Sequence, residues 1–166
     1  EGMMRSAYRG RKWNEAIKNA DKVLFESRTS DAVKREAEYV KAKAFMATSR
    51  RAEALAALEK LAADCMDEFG AEAAYLLILD CYDKAEFAEV ENKVYAFSDA
   101  GSPQTYWLAK SFIVLGDSFV DRGELAQAKA TFESVRDGYA PASNDDVMDG
   151  VRMRLEKLQN LVASNN

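Results

Sequence analysis

The stretch Tyr106-Trp107-Leu108-Ala109-Lys110-Ser111-Phe112 through Gly138-Tyr139-Ala140-Pro141 decides the fold class. Its first half places Leu108, Phe112, Leu115 and Phe119 in steps of four, three and four, which is one face of a helix. Gly116 sits on or beside that face, where a missing side chain lets a second helix come close. After Asp121-Arg122-Gly123-Glu124 the pattern resumes at Leu125, Ala128, Phe132 and Val135. Two amphipathic patterns joined by a tight glycine-bearing turn predict a helical hairpin that packs on itself.

Taking Ala128 as an anchor, the same surroundings recur upstream. Steps of 38, 36 and 38 residues back lead to Val90, Ala54 and Ala16, a spacing within the range of helical repeats. Each anchor is followed by further apolar or small residues: Ala20 and Val23, Leu58 and Leu61, Val94 and Phe97, Phe132 and Val135. Twelve residues before the anchors stand Met4, Ala42, Ile78 and Gly116; nine before stand Ala7, Phe45, Cys81 and Phe119. Small or apolar residues at every such slot predict an interior seam shared by four hairpins.

Punctuation divides the chain the same way. Ser30-Asp31 suits a helix start, Gly70 is expected to separate the second hairpin from the third, and Ser102-Pro103 is expected to open the fourth as N-cap and first helical residue. The acidic Ser143-Asn144-Asp145-Asp146 precedes a last pattern with Val147, Val151, Leu155, Leu158 and Val162 on one face. The predicted hairpins cover approximately 1–29, 30–69, 70–101 and 102–141, and 142–166 is a helix capping the last of them. Few residues precede the first turn, so the first hairpin is expected to be short or truncated, with further repeats before it and self-association through that end as a possible consequence.

Composition narrows the function classes. In 166 residues, 48% hydrophobic and 31% charged, only two are proline and eight glycine, which suits an all-α domain with a real core. A net charge of −5 disfavours a general nucleic-acid surface. There is no histidine, which removes the commonest general base and metal ligand. Cys65 and Cys81 have neither a metal-type spacing nor a histidine to activate them, and both read as small buried hydrophobes. Asp80 and Asp83 stand beside Lys84, and Asp145 and Asp146 at a helix start, so these pairs read as solvated or capping charges rather than acid–base pairs. No phosphate-cradling loop or nucleophile elbow is present, and neither cofactor nor metal is expected. The longest apolar run, Ala73 to Leu79, is too short to span a bilayer.

The four slot patterns resemble the tetratricopeptide repeat. Leu115-Gly116, Phe119, Gly123, Ala128 and Phe132 carry the closest match, with Pro141 one place later than the usual closing proline. Val90 and Cys81 depart from the alanine and aromatic that are usual in those slots. The resemblance implies a right-handed superhelical solenoid whose concave face binds a peptide or protein. The fourth hairpin is also similar to bacterial repeat proteins that are often envelope-associated, which implies a periplasmic or envelope setting.

On that reading the groove is lined by first-helix residues that do not face the seam. They are Arg5 and Tyr8 in the first copy; Glu36, Tyr39, Lys43 and Met46 in the second; Glu72, Tyr75, Leu79 and Tyr82 in the third; and Lys110, Ile113, Asp117 and Val120 in the fourth. Tyrosine and methionine suit recognition, offering area and adaptability. Only Arg5 and Lys43 are basic among the slots that hold a C-terminal carboxylate in chaperone-binding members, so a carboxylate clamp is disfavoured. The sign-alternating runs Lys34-Arg35-Glu36 and Lys41-Ala42-Lys43 read as solvated faces. The expected function is a non-enzymatic interaction scaffold. The alternatives are a structural spacer within a larger envelope assembly and, less favoured, an all-α enzyme or ligand-binding bundle.

Overall fold

Alanine is by far the commonest residue of the chain, and the computed structural model is all-α over the described residues. It describes residues 1–164, with side-chain surroundings to residue 161, so Val162, expected on the inner face of the last helix, lies outside the described side chains. Among the described residues there are nine helices and no strand: α1 (Gly2–Arg9), α2 (Trp13–Phe25), α3 (Asp31–Ala47), α4 (Arg51–Ala62), α5 (Glu68–Asp83), α6 (Phe87–Asp99), α7 (Thr105–Asp121), α8 (Leu125–Gly138) and α9 (Asp146–Ser164). The chain divides into two compact units, Glu1–Leu77 and Ile78–Asn166, the division falling inside α5. In the first unit α3 packs on α1, α2 and α4; in the second α7 packs on α6, α8 and α9.

The slots read as a seam are buried in every copy. Met4, Ala16, Ala20, Ala42, Leu61, Val90, Val94, Ala128 and Phe132 are at 0%, and Phe45, the most exposed of the apolar set, is at 8%. At Gly116 the reason for glycine is explicit: a Cβ there would run into the Phe132 ring. Burial of apolar surface at about 25 cal/mol per Å² is what drives each pair of helices together.

One turn serves all four hairpins. Five residues before each anchor the backbone is left-handed, at Arg11 (φ 54°), Ser49 (φ 58°), Ala85 (φ 57°) and Gly123 (φ 77°). The next amide reaches back to close the preceding helix: Lys12 to Ala7, Arg50 to Phe45 and Glu86 to Cys81 at 2.9 Å, and Glu124 to Phe119 at 2.8 Å. Carbonyls that a helix end leaves without partners are thereby satisfied, and the same residue starts the next helix. Only the fourth copy uses glycine, the residue that adopts this conformation without cost.

The connections between hairpins share no such plan. Ser30 caps α3, its hydroxyl accepting from the Val33 amide at 3.4 Å. Gly70 does not lie between hairpins but inside α5, whose helix starts earlier because Asp67 accepts from the Gly70 amide at 2.8 Å. A Cβ at Gly70 would strike the Asp64 carbonyl, so the glycine is required by close approach rather than by a turn. Pro103 lies ahead of α7 rather than at its first position. The Ser102 hydroxyl accepts from the Gln104 amide at 3.2 Å, making a turn before the helix, and Gln104 becomes the residue at which α7 begins. Asp145 caps α9 as its acidic context predicts, accepting from the Met148 amide at 3.1 Å while the Tyr139 hydroxyl donates to it at 2.7 Å.

Candidate binding face

In the first unit the expected groove residues of α1, α3 and the start of α5 meet one another. The Arg5 guanidinium grips Glu36 with two hydrogen bonds, Nε to Oε1 at 2.7 Å and Nη2 to Oε2 at 2.6 Å. The hydrogen bond from Arg5 holds the Glu36 carboxyl below the usual range, against a smaller upward push from burial. One copy further on, Lys43 Nζ donates to Glu72 Oε1 at 2.7 Å, and the Tyr39 hydroxyl donates to Glu72 Oε2 at 2.7 Å. Glu72 is buried, 8% exposed, and both of its oxygens are satisfied. Burial, and then the bond to Glu72, push the Tyr39 phenol well above its ordinary value.

Aromatic rings form a row through the same residues. Trp13 stands edge-on to Tyr8 at 5.9 Å, Tyr8 edge-on to Tyr39 at 6.4 Å, and Tyr39 lies against Phe69 at 4.7 Å. These separations suit edge-to-face and tilted attraction between rings. Lys43 Nζ sits 5.8 Å from the centre of the Tyr39 ring. Met46 is exposed at 41%, and Tyr75 is half-buried.

In the second unit Leu79 and Val120 are half-buried, and Ile113, at 8% exposed, belongs to the core more than to a surface. The Tyr82 hydroxyl donates to Asp121 at 2.7 Å, and burial followed by that bond pushes its phenol up to about 12. Lys110 Nζ lies 3.4 Å from Asp146 and over the rings of Tyr106 and Trp107, at 5.2 and 5.5 Å. Asp117 receives two bonds from Arg154 of α9, each at 2.7 Å. A shallow pocket with Leu108, Phe112, Val135 and Tyr139 in its walls lies between the start of α7 and the end of α8.

The charges at these slots are therefore paired within the protein. The base eleven residues before one anchor meets the acid eighteen before the next, as Arg5 with Glu36 and Lys43 with Glu72. That alternation was available in the sequence as opposite signs at two slots of successive copies. Arg35 had no such signal. Expected on a solvated face, it instead binds Asp67 and donates to the Leu61 and Asp64 carbonyls, clasping the end of α4 to the start of α5.

Cys65 and Cys81 are buried and free, and burial pushes the Cys81 thiol up, away from the reactive thiolate. Among the described residues no group of three or more acidic or cysteine side chains is placed to share a metal ion, and no helix is long and apolar enough to cross a membrane. In comparisons with known proteins, no family model, no curated protein and no solved structure matches the chain.

Proposed function

We propose that this chain is an array of tetratricopeptide-like hairpins that binds a protein or peptide along the face of its first helices. Superhelical stacking of the hairpins is part of the same reading. The observation that carries it is the row Trp13, Tyr8, Tyr39 and Phe69, with Met46 exposed two turns beyond Tyr39 on α3, all within residues 1–77. Aromatic and methionine side chains supply binding area at low entropic cost, and the flanking charges already neutralise each other. Such a face favours partners that offer apolar side chains over partners that offer a free carboxylate, because Arg5 and Lys43 are engaged by Glu36 and Glu72.

A photo-crosslinking amino acid at Met46, compared with one at the exposed Ala56 of α4, tests this. Discrete adducts from Met46 and none from Ala56 are expected in extracts of the source cells. Adducts from Ala56 alone would move the site to the second helices. The mutual pairing of the groove charges also favours a second reading, a structural spacer, for which neither position yields a discrete adduct.

A further inference from the structure

Phe25, at the end of α2, is 94% exposed, the most exposed large apolar side chain among the described residues. It belongs to a set. Lys18, Lys22 and Phe25 recur at steps of four and three, one face of the helix, opposite the buried Ala16, Ala20 and Val23. The other copies have no such face. Nine residues after the anchor they carry Ala63, Asp99 and Asp137, and the one base at their lysine slots, Lys60, is bonded to Glu38.

The charge around the ring is one-sided. Acids flank the face on both sides, but Glu15 is paired with Lys12 and Asp21 with Lys41. Lys18, Lys22 and Arg28 are exposed and form no ion pair among the described residues; Glu26, next to the ring, forms none either. Residues 1–29 hold seven basic and four acidic side chains, although the whole chain carries −5. The complement to this face is therefore anionic. One projecting ring among charges, on the outer side of a single helix, cannot supply the apolar core of a protein interface, which buries about 800 Å² per partner. A bilayer surface needs no shaped complement: cations meet headgroup phosphates, and a single ring enters the boundary between headgroups and acyl chains.

We propose that the Lys18–Lys22–Phe25 face of α2 docks on anionic phospholipid bilayers, with the Phe25 ring inserted and Arg28 as a third cation. The attachment is peripheral, since no helix among the described residues is long and apolar enough to cross a membrane. It uses none of the residues of the aromatic row, so it stands independently of the protein-binding reading.

Co-flotation of the full chain with vesicles, of phosphatidylglycerol and phosphatidylcholine in equal parts or of phosphatidylcholine alone, tests this. Binding to the anionic vesicles that fades as salt is added, and none to the neutral ones, is expected. Each lysine contributes about fivefold to the partition coefficient, so Lys18→Gln with Lys22→Gln lowers it about twentyfold. Phe25→Ser lowers it about tenfold, and Glu26→Gln raises it. Lys157→Gln, at an exposed position of α9, leaves it near the parent value. All of these positions are exposed, and far-UV circular dichroism of the variants is expected to match the parent. A chain that ignores anionic vesicles overturns the proposal; capture by poly-glutamate in that case would point to an acidic protein partner instead. Vesicle binding that survives the lysine pair or the Phe25 change, or that falls equally with Lys157→Gln, overturns this face.

Discussion

The turns inside the hairpins and the connections between them are built on opposite principles. Arg11, Ser49, Ala85 and Gly123 occupy one backbone conformation with one set of hydrogen bonds, although they are four different residues. The connections use a serine cap, an aspartate with an arginine clasp, a serine turn ahead of a proline, and an aspartate anchored by a tyrosine. The turn is dictated by helices packed at one seam, so backbone geometry overrides residue preference. Each connection instead joins faces that differ from copy to copy, and side chains must solve it case by case.

The comparison can be broken from either side. The largest effect is expected at the seam. Gly116→Leu drives a side chain into Phe132 and should cost about 3 kcal/mol, read as a lowered denaturant midpoint. Unchanged unfolding would show that the seam is not tight. Gly70→Ala tests the second connection by pressing a methyl group on the Asp64 carbonyl; a loss of about 2 kcal/mol is expected, with Arg35 forced from its clasp.

At the turns the sign reverses. Ala85→Gly relieves a left-handed non-glycine residue and should stabilise by about 1 kcal/mol, less the entropy that glycine adds to the unfolded chain. Similar gains at Arg11→Gly and Ser49→Gly would establish that the turns are energetically as well as geometrically equivalent; a gain at one alone would deny it.

The smallest effect expected is on acid stability. Burial pushes the Asp67 carboxyl up, but the Arg35 guanidinium and the Gly70 and Phe69 amides together hold it below its ordinary value. A carboxylate depressed in the folded state contributes stability above its unfolded value, near pH 3.9, and loses it as pH falls through the folded value. Asp67→Asn should therefore unfold at a lower temperature than the parent at neutral pH, with the gap closing below about pH 4. A gap independent of pH would assign the role of Asp67 to its hydrogen bonds alone.

The hairpins were legible because burial repeats with the helix. Small or apolar residues at fixed offsets from Ala16, Ala54, Val90 and Ala128 were sufficient to place the seam, and every one of them is buried. The candidate face was legible only as a set of positions. Its residues were expected to stand ready for a partner, yet Arg5, Lys43 and Asp117 are engaged by Glu36, Glu72 and Arg154. Two of those pairings left a trace in successive copies, but the partner of Asp117 is Arg154 on the last helix, outside the four copies, where no repeat slot could mark it.

By itself, then, the sequence determined which residues turn inward and where the chain doubles back, since both follow from local periodicity. That Gly70 lies within a helix and Pro103 outside one rests on local bonds from the Asp67 and Ser102 side chains, which override the punctuation that glycine and proline suggest. Tertiary structure alone decided that Arg35 clasps α4 to α5 and that Arg154 of α9 grips Asp117. Both depend on contacts between residues distant in the chain, whose energies carry no period for a sequence to display.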